Sequence, residues 1–340
     1  MPEMALSTKP LGRTGLPLTV LGFGGTALGN MYTAMSEHEA ASTLAAAYAA
    51  GIRYFDTAPL YGHGLSELRT GWGLRSFGDP TVILSTKVGW RLKPAFGAAT
   101  NAGLFQDITA FSRYNDYTYD GVLRSFEESL NRLGIERADI LLIHDVDRRN
   151  QGERFPEVFR TAMDGAYKAL VSLREQKLIK AIGCGLNEWE ACEAFARAGD
   201  FDCFLLAGRY TLLHQESLNS FLPLCEERGI GILLGGPYNS GILASGAVPN
   251  AWLHYEPAPR AALERVAAIQ PVCARHGVAL KSAALQFPLH HPCVASVIPG
   301  MRSEAEIADN IAMLHAAIPV ELWRELKDSG LIDRAAPTPA

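Results

Sequence analysis

The chain has 340 residues, more than the roughly 150 of an average domain and within the range of roughly 200 to 400 that one α/β barrel occupies. Hydrophobic residues make up 48% and charged residues 20%, enough apolar material for a core and too little net charge for a disordered chain. With 31 Lys and Arg against 36 Asp and Glu, a balance of −5, no overall positive field favours nucleic acid or an anionic membrane, and neither is expected as a partner.

Met1 to Pro10 lacks the apolar run of a secretory signal, which points to a cytoplasmic protein. Leu11-Gly12-Arg13-Thr14-Gly15-Leu16 reads as the turn of a hairpin over about residues 11–19, a plug at one barrel end. Short aliphatic or β-branched runs then alternate with helical periodicity. The strands are Val20 to Gly24, Arg53 to Asp56, Val82 to Lys87, Ile140 to His144, Ala181 to Cys184, Cys203 to Leu206, Gly231 to Leu234 and Val294 to Ile298. Between them lie helices such as Glu37 to Ala50, Asp120 to Leu133, Glu157 to Glu175, Glu188 to Ala198, Glu216 to Arg228 and Pro259 to His276, several followed by a terminating glycine. Eight strand–helix units without a linker predict an α/β chain forming one closed (β/α)8 TIM barrel over residues 1–340, not an open doubly wound sheet. Gly22-Phe23-Gly24-Gly25 lacks the third glycine of a dinucleotide fingerprint, which weakens the open-sheet alternative.

Two connections, 89–119 and 235–258, are long and leave the carboxyl ends of strands, where barrel enzymes place their sites. The first carries Trp90, Phe96, Phe105, Phe111, Tyr114 and Tyr117; the second carries Tyr238, Trp252, His254 and Tyr255. Such rings supply an apolar wall for a small ligand or pack on their own loops. The six cysteines form no CxxC pair and read as reduced thiols. Arg228 to Glu256 holds no charge between its ends, but Gly235-Gly236-Pro237, Asn239 and Pro249 make it a strand and loop, not a membrane span. Residues 331–340, ending Ala-Pro-Thr-Pro-Ala, read as a flexible tail.

Asp56, Lys87 and His144 end predicted strands two, three and four, and Tyr61 lies just beyond Asp56. A carboxylate at a buried strand end needs a cation to offset desolvation, and Lys87 is the nearest. A free phenol titrates near pH 10, and a neighbouring ammonium favours its ionised form by about 1.4 kcal/mol per unit. A histidine beside it donates a hydrogen bond to a carbonyl or alcohol oxygen. Each residue alone has a structural explanation, as a cap, a loop tyrosine, a solvated lysine or a core histidine. No packing reason gathers all four at adjacent strand ends.

These residues resemble the aldo-keto reductases. Gly51-Ile52-Arg53-Tyr54-Phe55-Asp56-Thr57-Ala58-Pro59-Leu60-Tyr61-Gly62 is similar to that family's signature, Ser85-Thr86-Lys87 and Leu141-Leu142-Ile143-His144 to its other catalytic strand ends, and Ser296-Val297-Ile298-Pro299-Gly300 to its cofactor loop. The resemblance implies Tyr61 as general acid/base, Lys87 as the group lowering its pKa, Asp56 as the partner of Lys87, and His144 as the residue orienting the substrate oxygen. It further implies a nicotinamide cofactor held by Asn187, Gly235, Pro237, Gly300, Arg302, Glu306 and Asn310, with no metal. The chain departs from the family pattern where Cys184-Gly185-Leu186 replaces a serine-containing loop, where Ala207 replaces a glutamine, and where Gly235 replaces the tyrosine that stacks on the nicotinamide.

Glu306 stands where many members carry a cation for the 2′-phosphate. A carboxylate repels that phosphate and accepts a hydrogen bond from a free 2′-hydroxyl, so NAD is expected ahead of NADP, with Arg302 as the counterweight. Gly235 to Gly241 and the 183–187 loop resemble the branch that oxidises L-fucose, L-galactose or D-threo aldoses at C1 to a lactone, with Trp90, Tyr238, Asn239, Trp252 and His254 about the substrate. Pyridoxal oxidation is the alternative within the branch, and a nucleotide-sensing binding subunit is the alternative from another class. A small sugar hemiacetal is the expected partner, and a homo-oligomer stays open.

Overall fold

The computed structural model describes residues 6–97 and 101–339; residues 98–100 of the 89–119 connection, and residues 1–5 and 340 of the predicted termini, lie outside the described residues. In chain order the strands are β1 (Thr8–Pro10), β2 (Pro17–Thr19), β3 (Phe23–Gly24), β4 (Tyr54–Asp56), β5 (Ile83–Val88), β6 (Trp90–Pro94), β7 (Phe111–Asn115), β8 (Ile140–His144), β9 (Ala181–Leu186), β10 (Cys203–Ala207), β11 (Gly231–Gly235), β12 (Trp252–Leu253), β13 (Glu256–Pro257) and β14 (Val294–Ile298). Eight of them form one parallel sheet in the order β14-β11-β10-β9-β8-β5-β4-β3. The sheet closes on itself: Gly22 N–H donates to the Val297 carbonyl (2.9 Å), Val297 N–H to Val20 (2.9 Å) and Gly24 N–H to Pro299 (3.1 Å). Helices follow the strands, which makes the chain the (β/α)8 barrel expected.

The two-residue period of the strands divides their side chains into two layers. Leu141, Ile143, Ile182, Cys184, Phe204, Leu206, Ile232 and Leu234 face outward and share a core with the helices. Ile140, Leu142, Ala181, Cys203, Leu205, Leu233 and Ala295 face inward with Tyr54 and Ile83. Leu11 and Leu18, on the antiparallel β1/β2 hairpin, complete this inner cluster at the amino end of the barrel. Both layers are almost wholly buried, so the strands read as continuous apolar runs.

Some boundaries differ from expectation. The 157–175 helix is interrupted by a wide π turn at Ala162–Tyr167, where a Cβ on Gly165 would come within 2.6 Å of the Tyr117 carbonyl. The 216–228 helix is a 3-10 turn (Glu216–Asn219) followed by Phe221–Arg228, with a break at Ser220. Pro223, which lacks an N–H, then falls in the first turn, where that donor has no partner in any case. Further helices lie at Leu65–Phe77, Leu280–Gln286, Glu304–His315 and Val320–Asp328, with single turns at Arg148–Gln151 and Ile242–Ser245. The long 89–119 connection is largely an antiparallel arm, with β6 pairing β7 from Trp90↔Asn115 to Pro94↔Phe111. The tail is corrected too: Ile332 and Ala336 are buried, and Asp333 N–H donates to Gln215 (3.2 Å), so the described part of 331–340 packs on the barrel instead of fraying. The six cysteines are unpaired. Among the described residues no helix is long and apolar enough to cross a membrane.

Candidate active site

The alternation that builds the inner layer also aims the polar strand ends. Tyr54 and Asp56 are two apart on β4, Ser85 and Lys87 on β5, and Leu142 and His144 on β8, so each pair shares the inward face. Ser85 pairs across the sheet with Asp56. Its hydroxyl donates to Asp56 Oδ1 (2.7 Å) and contacts the Tyr54 hydroxyl (2.9 Å). Above this layer Lys87 Nζ donates to Asp56 Oδ2 (2.7 Å) and to the Thr57 carbonyl (2.8 Å). Lys87 is 1% exposed and Asp56 4%, so this is a buried ion pair whose hydrogen bonds offset its desolvation. The lysine stem runs past Gly185 on β9, where a Cβ would press on Lys87 Cε at 3.3 Å.

Tyr61, on the turn after β4, lies over this pair with Lys87 Nζ 4.7 Å from its ring centre. It stacks on Phe105 (6.2 Å) and meets His144 edge-on (6.0 Å). The structure thus brings Asp56, Tyr61, Lys87 and His144 into one cluster at the carboxyl end of the barrel. Burial in the barrel mouth, then the charges of Asp56 and Asp145, push the Tyr61 phenol well above its ordinary pKa. Burial, then Lys87 and Arg113, lower the His144 imidazole well below its ordinary value, so it is neutral. Its Nδ1 is buried without a partner, and its Nε2 lies 3.7 Å from Asp145 Oδ1.

Two cavities meet at Tyr61. The first, ≈ 300 Å³, is bounded by Tyr61, Lys87, His144, Phe105 and Leu205, with a polar wall of Arg113, Asp145, Arg149, Asn150 and Asn187. The second, ≈ 270 Å³, is a groove between residues 235–241 and 298–300, and it also touches Tyr61, His254 and Tyr255. His254 and Tyr255 form the two-residue turn between β12 and β13, both at positive φ (52° and 68°), a conformation costly for such side chains.

The remaining expected residues distribute unevenly. Asn187 lines the first cavity; Gly235, Pro237 and Gly300 line the groove. Arg302, Glu306 and Asn310 lie beyond the groove, at and near the first turn of helix Glu304–His315. Arg302 N–H donates to Glu306 Oε2 (3.0 Å) and its guanidinium to the Thr33 carbonyl (2.9 Å). Asn310 is satisfied within the protein, by the Tyr238 hydroxyl and the Glu306 carbonyl. Of the five residues expected about a substrate, Tyr238, Asn239 and His254 line the groove instead of the first cavity. Trp90 stands behind the cavity wall, donating from Nε1 to Asp145 Oδ2 (2.9 Å). Trp252 is 40% exposed and packs on Tyr32 at the surface, because the short β12/β13 turn directs Tyr255 inward in its place.

Sequence reasoning missed Asp145, Arg113, Arg149 and Asn150. Asp145 had a signal, since it directly follows His144 at a strand end. Arg113 had none short of the β6/β7 register, which places it over the Trp90 ring at 4.6 Å. Desolvation, then Asp147, raises the Asp145 carboxyl to about 7, against the opposing effects of the Trp90 hydrogen bond, Arg113 and Lys87.

A closed barrel whose strand ends hold a phenol and an imidazole above a buried ammonium–carboxylate pair, beside a glycine-lined groove, defines a (β/α)8 oxidoreductase. The aldo/keto reductase family model matches residues 20–330, and the chain belongs to that family. It is 38% identical to a pyridoxal 4-dehydrogenase of Microbacterium luteolum, over 96% of this chain and 98% of the relative. It is 37% identical to a D-threo-aldose 1-dehydrogenase of a Pseudomonas species, over 98% and 99%. Among solved structures, the holo aldo-keto reductase AKR11C1 of Bacillus halodurans superposes with a TM-score of 0.75 at 21% identity, covering 97% and 98% of the two chains, a likeness of fold.

Proposed function

We propose that the protein is an NAD-dependent aldose 1-dehydrogenase that oxidises the C1 hydroxyl of a sugar hemiacetal to a lactone. The observation that carries this reading is the wall of the first cavity. Arg113, Asp145, Arg149 and Asn150 offer donors and acceptors in several directions, as a ring of hydroxyls requires. Of the rings expected about a flat substrate, Trp90, Tyr238 and Trp252 do not line it; the rings that do are Tyr61, Phe105 and Tyr255.

The groove fits a dinucleotide. Its floor is backbone: a Cβ would approach the Pro299 carbonyl to 2.9 Å at Gly24, which leaves that position no room for a side chain, and would press on Leu205 Cδ2 at 3.1 Å at Gly235. Gly235, Pro237 and Gly300 would hold the dinucleotide along the groove, Asn187 the carboxamide at its inner end, and Glu306 and Arg302 the adenosine end. When bound, the nicotinamide supplies the two-electron acceptor. The chain supplies the rest. Neutral His144 donates from Nε2 to the reacting oxygen, Tyr61 as phenolate takes the C1 hydroxyl proton, and Asp56 holds the Lys87 ammonium beneath the ring. In the reverse direction the Tyr61 phenol returns that proton to the carbonyl oxygen.

Glu306 sets the cofactor preference. Its carboxylate is oriented by Arg302 N–H, and the Arg302 guanidinium is held toward Thr33. The expected KM for NADP exceeds that for NAD by about tenfold or more, and Glu306→Gln narrows the ratio. Steady-state rates with both cofactors check this; an unchanged ratio in the variant removes Glu306 from the argument.

A second reading, oxidation of pyridoxal, is favoured by the 38% identity to a protein of that name. Turnover of L-fucose, D-arabinose, L-galactose and pyridoxal, followed by NADH absorbance, separates the two. Oxidation of an aldose at a higher kcat/KM than pyridoxal is expected. Turnover of pyridoxal alone, or of none of them, overturns the sugar reading.

A further inference from the structure

We propose that Asp145 is a specificity-determining residue whose carboxylate accepts a hydrogen bond from the hydroxyl on the carbon next to the reacting one, so that the site selects 2-hydroxy aldoses over 2-deoxy aldoses. This rests on the aldose reading and extends it to a named substrate feature.

The chain places Asp145 at the end of β8 with φ 58°, in the left-handed region that a non-glycine residue adopts at a cost. The residue is 5% exposed and borders the same cavity as Tyr61, Lys87 and His144. Its two oxygens are unequally used. Oδ2 accepts a hydrogen bond of 2.9 Å from the Trp90 indole, which fixes the rotamer. Oδ1 has only a 3.4 Å contact from Asn187 Nδ2 and lies 3.7 Å from His144 Nε2, beyond hydrogen-bond range. A carboxylate offers about four lone-pair sites, so Oδ1 is a buried acceptor with capacity to spare, on a residue that lines the cavity. Its one protein partner is that long contact from Asn187, so a hydroxyl donor at normal hydrogen-bond distance would add to what the protein already supplies.

The position of His144 identifies which hydroxyl. The carboxylate beside Nε2 favours the tautomer with the proton on that nitrogen, the one that donates to the reacting oxygen. A hydroxyl that reaches Oδ1 while the reacting oxygen sits at Nε2 belongs to the adjacent carbon. In a cyclic aldose, C1 has two oxygen-bearing neighbours. The ring oxygen only accepts, so the C2 hydroxyl is the one that can donate to a carboxylate. Arg113, stacked on Trp90, backs the same wall and holds the indole that orients Asp145.

D-arabinose and 2-deoxy-D-ribose differ only in that hydroxyl, and they provide the test at pH 8 with NAD. The wild-type protein is expected to prefer D-arabinose in kcat/KM by about 10- to 100-fold, the range that a single hydrogen bond to a charged acceptor supplies. In Asp145→Asn, and in Asp145→Ser as a second variant, the preference falls below about fivefold, mainly through a raised KM for D-arabinose. A purely structural role, bracing the β6/β7 arm through Trp90, lowers both rates together and leaves the ratio intact. A ratio unchanged within twofold in either folded variant therefore overturns this inference alone, as does a wild-type protein that oxidises both sugars without preference. A wild-type protein inert on every aldose but active on pyridoxal overturns the sugar reading and this inference with it.

Discussion

Tyr61→Phe is expected to lower kcat by about 10²- to 10⁴-fold, the range of a positioned general acid/base, while leaving the affinity for NAD within about twofold. The substitution removes one oxygen and little else. The ring keeps its stack on Phe105, its edge contact with His144 and its place over Lys87 Nζ. Lys87 is a less clean probe, because its removal leaves Asp56 buried without its cation and mixes stability with chemistry. Single-turnover rates together with fluorescence titration of NAD separate the chemical step from binding. The same phenol dictates a pH dependence. Burial, Asp56 and Asp145 favour its neutral form, so the phenolate that oxidation needs is the minor species near neutrality. The rate of sugar oxidation is therefore expected to climb with pH through 7 to 9 with a slope near one on logarithmic axes, and this slope disappears in Tyr61→Phe. A wild-type rate that is flat over this range, or a variant with full turnover, removes Tyr61 from the chemistry.

The barrel was legible because inward and outward faces of its strands are both apolar. Ile140 to His144 reads as a strand from composition alone, and β8 covers those residues. The helix at Leu65–Phe77 was not legible. Gly71 and Gly73 depress its helical propensity, and they are there for packing: a Cβ on Gly71 would lie 1.9 Å from the Leu133 carbonyl of the neighbouring helix. At the site, Asp56, Lys87 and His144 could be found because they interrupt apolar runs at strand ends. The substrate wall could not. Arg113 reaches the cavity through an antiparallel arm with weak alternation, half-exposed on both strands, and Trp252 was misplaced because a two-residue turn at positive φ decides which neighbouring ring points inward. Asp145 is a third kind of case. A polar residue one place beyond a strand end looks like a loop residue until its left-handed conformation turns it back into the cavity.

Asp145→Asn should make the folded protein more stable above neutral pH, by on the order of 4 kcal/mol or roughly 6 °C in Tm. The carboxyl titrates at about 7 in the folded state, against an ordinary value near 3.9 in an unfolded chain, and desolvation is the largest cause, followed by Asp147. The folded protein therefore holds this proton more tightly than the unfolded one does. Stability from this group is intact below pH ~4, declines as pH rises from there through 7, and above 7 the full cost of an ionised buried carboxylate is present. Trp90, Arg113 and Lys87 offset part of that cost and are already included in the shifted value. Asparagine keeps the shape and an acceptor for the Trp90 indole but carries no charge to desolvate. The difference between variant and wild type should grow from near zero at about pH 3.5 to its full size by about pH 8, as read by thermal unfolding across that series. A variant less stable than wild type throughout would make Asp145 a structural brace. The opposite outcome, greater stability accompanied by lost discrimination between D-arabinose and 2-deoxy-D-ribose, is what a group retained for recognition at the expense of the fold produces.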